Sequence, residues 1–88
     1  RRIILLKILT TTMDRVPVGK VCDIVHSALV DDVKTRFAEM GLVPHTKVLI
    51  RKKAPLGDPI EIRSRNYSLC IRKTEAEHIT VTYEADYE

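Results

Sequence analysis

The side chains able to do chemistry are few and scattered. Histidines stand at His26, His45 and His78, and the two cysteines at Cys22 and Cys70. None of these five lies at the short spacing by which one helix or one loop chelates a metal. Fe(II) or another divalent transition metal would favour imidazole with carboxylate. The candidate metal ligands are therefore His26, Asp31 and Asp32, which gather where a strand gives way to a helix. No serine or cysteine has a recognisable general base beside it, and no glycine-rich phosphate cradle or paired-carboxylate motif appears. The chain reads as a non-enzyme with no assigned cofactor.

A second kind of chemistry is displayed by residues 51–62. Arg51, Lys52 and Lys53 end one apolar alternation, Ile60 and Ile62 begin the next, and Pro55, Gly57 and Pro59 interrupt both. Each proline fixes φ and removes a donor, and Gly57 accepts positive φ without steric cost. A stiff loop with Leu56 at its tip is expected. Leu56 either anchors a partner or folds under the loop to cap the core. Arg51, Lys52, Lys53 and Arg72 would surround it and steer an acidic protein surface.

The elements that position these residues follow from periodicity. Residues 20–26 read as a first strand, with Cys22, Ile24 and His26 on one side. Val30, Val33, Phe37 and Met40 recur at helical intervals, with Ser27 or Asp31 as the cap and Asp32 spaced to pair with Arg36. Gly41 stops that helix, Leu42 folds back on it and Pro44 forbids continuation. Further strands are expected at 46–53, 59–64, 67–72 and 78–83, with Asn66 in a tight turn and a helical turn at 74–77. Leu69 and Ile71 face inward, whereas Ser68, Cys70 and Arg72 face out. The predicted fold is mainly β: a small five-stranded barrel with one helix inserted after the first strand, closed so that no edge is exposed, with a two-strand-plus-helix α+β layer as the alternative.

Length and composition bound the rest. Eighty-eight residues make one small domain, and four aromatics (Phe37, Tyr67, Tyr83, Tyr87) leave an aliphatic core. Two distant cysteines suit a reduced, cytoplasmic setting better than a disulfide framework. Residues 1–12 read as an N-terminal extension, either an added strand or an amphipathic arm. Lys7 breaks their apolar run, which is too short to span a bilayer. Residues 13–84 form the domain and 85–88 an acidic tail. A net charge of +3 is mild. Arg63, Arg65 and Lys73 widen the basic face, yet Tyr67 is the one aromatic there and is expected to be packed. A stacking platform for nucleic acid is missing.

Several segments resemble a known family. Met40-Gly41-Leu42-Val43-Pro44-His45-Thr46 is similar to its helix exit. Lys53-Ala54-Pro55-Leu56-Gly57-Asp58-Pro59-Ile60-Glu61-Ile62 is similar to its K-A-P-L-G-D-P-I-x-I segment. Arg65-Asn66-Tyr67-Ser68-Leu69-Cys70-Ile71-Arg72-Lys73 resembles R-G-Y-x-L-x-[LI]-R-K. These identify a member of the FeoA family of bacterial ferrous iron transport proteins, whose domain also ends DtxR-type regulators. The resemblance, over roughly residues 13–83, implies a cytoplasmic SH3-like barrel that supports or regulates the FeoB permease through its cytoplasmic GTPase domain. Weak transition-metal binding is a further implication, and peripheral membrane association would come only through that partner. The alternatives are a metal-responsive domain of a DtxR-type regulator and a basic-faced nucleic-acid-binding barrel. Asn66 stands where the family has glycine, and Asp31, Asp32 and Thr35 make the helix more acidic than the family pattern.

Overall fold

Apolar residues at alternate positions can be buried together only if the chain is extended, and a sheet is the outcome. The computed structural model describes residues 5–65 and 67–87. Six antiparallel strands run through it: β1 (Leu5–Thr12), β2 (Val21–Ser27), β3 (Lys47–Lys53), β4 (Ile60–Arg63), β5 (Ser68–Ile71) and β6 (Ile79–Tyr87). Helix α1 (Asp31–Glu39) connects β2 to β3, and a single turn, α2 (Lys73–Ala76), connects β5 to β6. The strand order is β1-β6-β2-β3-β4-β5.

This is a six-stranded open sheet rather than the closed five-stranded barrel that was expected. The sixth strand comes from the two chain ends. Residues 5–12 pair with β6 in unbroken register from Leu5–Tyr87 to Thr12–Thr80. They add a sixth strand, and residues 85–87, read from sequence as part of a tail, continue β6. Residues 1–4, Glu88 and the turn assigned to Asn66 lie outside the described residues.

Met13, Val16, Cys22, Val48, Ile50, Ile60, Ile62 and Val81 are wholly inaccessible to solvent, and Ile24, Ile71 and Ile79 are nearly so. Aliphatic branched side chains pack well on a pleated surface. Phe37 of α1 is the aromatic buried among them.

Helix α1 ends as expected. Gly41 takes φ +82, its N–H reaches the Ala38 carbonyl at 2.9 Å, and the Leu42 N–H reaches the Phe37 carbonyl at 2.9 Å. These are the paired bonds of a Schellman cap. The other end differs from expectation. The N-cap is Val30, without a side-chain bond. Ser27 Oγ instead accepts the Leu29 N–H at 3.3 Å. That turn buries Leu29 in place of Val30, which remains 66% exposed. Arg36, expected to pair with Asp32, instead donates from Nη2 to Glu75 Oε2 at 2.8 Å and so ties α1 to α2.

Candidate docking loop

The connection between β3 and β4 is closed at its neck. The Ala54 N–H donates to the Pro59 carbonyl at 3.0 Å, and the Gly57 N–H donates to the Ala54 carbonyl at 2.8 Å. Asp58 Oδ1 accepts the Lys73 N–H at 3.0 Å and fastens the loop to α2. The Asp58–Pro59 peptide is cis. Lys53 Nζ reaches the Asp14 carbonyl at 2.9 Å and holds the start of the loop to the segment after β1.

At the tip, Leu56 adopts φ +69 and ψ +9. A branched residue in this left-handed region costs about 1–2 kcal/mol, which the surrounding bonds must sustain. The side chain gains no packing in return, because Leu56 is 97% exposed. It does not fold under the loop. The fold therefore holds a strained leucine out in water.

The basic residues near the loop are less free than sequence alone implies. Arg51 Nε lies 3.6 Å from Glu61 Oε2, and Lys52 Nζ lies 3.7 Å from Glu61 Oε1. Exposed pairs of this kind contribute about 0–1 kcal/mol each. One carboxylate shared by two cations still leaves positive charge beside the loop. Arg72 is exposed, and its N–H donates to Glu75 Oε1 at 3.0 Å. A cleft of about 400 Å³ is lined by Ala54, Pro55, Pro59 and Cys70 together with Lys52, Lys53 and Glu61. The role of Glu61 was absent from the sequence reading. Alternation alone would set Glu61 opposite Arg51; the register shift between Ile50 and Lys52 brings Lys52 opposite it, so both cations reach the carboxylate.

The metal candidates fare differently. His26 was placed inward with Cys22 and Ile24, but the β2–β6 register shifts between Ile24 and His26. A bulge turns the next side chain over, and His26 is exposed. Asp31 and Asp32 are exposed on the first turn of α1. Among the described residues no three His, Cys, Asp or Glu side chains stand where they could hold a metal ion, so these three are not assembled into a site. Cys22 is a poor ligand, since burial, with Asp23 adding to it, pushes its thiol up from 9.0 to about 11. Cys70 is exposed, and both thiols are free. Tyr67, expected to be packed, is 37% exposed.

Comparison with known proteins gives a consistent result. Residues 11–83 match the FeoA domain family. The solution structure of an FeoA-like protein from Clostridium acetobutylicum is 35% identical, with a TM-score of 0.73 over 82% of this chain and 84% of that one. The FeoA protein from Chlorobium tepidum is 33% identical, with a TM-score of 0.80 over 89% of this chain and 74% of that one. FeoA of Stenotrophomonas maltophilia, crystallised with zinc and described as a prokaryotic SH3 domain protein, is similar in fold at 23% identity. Its TM-score is 0.69 over 81% of this chain and 88% of that one. No curated protein matches the sequence.

Proposed function

This chain belongs to the FeoA family, and from that premise we propose that it is a non-enzymatic accessory protein of bacterial ferrous iron uptake. It acts in the cytoplasm by docking on the cytoplasmic GTPase domain of the FeoB permease. The observation that carries the reading is Leu56, held 97% exposed at positive φ on a loop fastened at its neck. A preformed tip loses little entropy on binding, and burying a leucine contributes about 1.5–3 kcal/mol. Arg51, Lys52, Lys53 and Arg72 supply long-range attraction for an acidic face.

Ferrous iron is the cargo of the permease in this reading. Weak transition-metal binding by this chain would rest on single exposed side chains such as His26, because no chelating set forms among the described residues. Membrane association would come through the partner; no described helix is long and apolar enough to cross a bilayer. Nucleic acid is not the expected partner, since Glu61 draws on two of the cations that phosphates would need.

The test is Leu56→Asp, assayed by affinity for the cytoplasmic portion of the permease and by amide dispersion of the free chain. Weaker binding with the fold intact is expected. Loss of binding together with the fold would make the leucine a core residue. An affinity indifferent to salt would remove the role of the basic strands.

A further inference from the structure

A second concavity lies at the other end of β3 and β4. Strand β3 starts at its wall with Lys47 and ends at the Leu56 loop after Lys53. The cleft holds about 660 Å³, within the size range of small-ligand sites. It forms where the exit of α1 meets Ser64 and Arg65 after β4 and Tyr67 before β5. Met40 and Gly41 supply one side, Tyr67 and Arg65 the other, and His45 and Lys47 complete the wall.

Three features set it apart. First, no aspartate or glutamate lines this cleft among the described residues, whereas four others on the surface each carry at least one. Second, Tyr67 is 37% exposed and its hydroxyl lies beside the helix exit, 3.8 Å from where a Cβ on Gly41 would stand, an ordinary contact distance. Third, His45 is held at φ +76, a conformation that L residues rarely adopt and that recurs at ligand-binding positions. Its N–H is bound to the Ile24 carbonyl at 2.7 Å, so the backbone there is fixed.

An aromatic face beside two permanent cations and an imidazole suits a flat ring that carries negative charge. We propose that this cleft binds a phosphate-bearing planar ligand of the mononucleotide class. The ring stacks on Tyr67 against Met40, and the phosphate is taken by Arg65 and His45, with Lys47 at longer range. Lys47 is partly committed, because its Nζ lies 2.9 Å from Asp23 Oδ1. Arg65 is consequently the principal charge partner. The α1 C-terminus presents a partial negative charge here, which fades within a turn and is outweighed by the full charge of Arg65.

The site is separate from the Leu56 loop, so its failure would leave the docking reading intact. The test is a titration of the ¹⁵N-labelled full chain with AMP, with adenosine and with inorganic phosphate. AMP is expected to shift the amides of Gly41, Lys47 and Tyr67 and to leave those of residues 54–59 in place. Arg65→Ala should weaken AMP about tenfold or more, the effect of losing a charge-assisted contact. Tyr67→Ala should weaken it about tenfold through lost stacking, and Tyr67→Phe should restore it. Equal affinity for adenosine would overturn the role of the cations, and equal affinity for phosphate that of the ring. Either result defeats the proposal, as does an unchanged affinity in Arg65→Ala or the absence of shifts around the cleft.

Discussion

Replacing Leu56 by glycine should move stability and binding in opposite directions. A leucine at φ +69 carries about 1–2 kcal/mol of backbone strain that glycine lacks. Glycine gives back about 0.5–1 kcal/mol through the greater freedom of its unfolded chain. Burial contributes nothing to set against this, because the side chain is 97% exposed. The variant should therefore unfold in urea with a free energy equal to the parent's or up to about 1.5 kcal/mol higher, with an unchanged m-value. Affinity for the cytoplasmic portion of the permease should meanwhile fall by about 1.5–3 kcal/mol, or roughly tenfold to a hundredfold. Urea melts followed by circular dichroism and isothermal calorimetry read the two quantities separately. A variant destabilised by more than about 1 kcal/mol would show that the leucine packs on its own chain. An unaltered affinity would show that the loop tip is not the contact.

Three further outcomes follow from named residues. The Cys22 thiol is held protonated to about pH 11 in the folded chain against 9.0 unfolded. The unfolded state alone loses that proton between these values, so stability should fall as pH rises from 9 to 11. The loss is at most about 3 kcal/mol. Denaturant melts across that range should show a shallower decline for Cys22→Ala. Gly41→Ala places a Cβ at φ +82 and should cost about 1–2 kcal/mol in thermal or urea melts, although nothing sterically blocks it. Glu61→Gln releases Arg51 and Lys52 from their shared carboxylate. It should alter stability by no more than about 1 kcal/mol. It should also speed association with the acidic partner at low salt, a gain that vanishes as ionic strength rises in stopped-flow measurements.

What sequence made legible was whatever is decided locally. The end of α1 needs only Gly41, Leu42 and Pro44, and the stiffness of the Leu56 loop needs only its prolines and glycine. Cys22 lies inside because Ile24 and Val48 share its face, a matter of counting by two. Features set by distant partners were hidden. One extra residue between Ile24 and His26 reverses the face of His26, and alternation gives no sign of it. Val30 fits the helical stripe of Phe37, yet the Ser27–Leu29 turn spends it on the cap. Residues 5–12 become a strand only because residues 80–87 offer a complementary edge. The Asp14 carbonyl acts on Lys53 and Glu75 acts on Arg36 from far along the chain, and Glu61 meets Lys52 only through a register shift, contacts that exist once the sheet is formed.

The central claim is that residues 54–59 are the surface this protein presents to the permease. Amide shift mapping of the labelled chain against the cytoplasmic portion of FeoB tests it directly. The account predicts that the largest perturbations fall on residues 54–58 and on the neighbouring amides of Arg51, Lys52 and Arg72. Perturbations confined to α1 or to the β1–β6 ribbon, or none at all with the partner in excess, would contradict it.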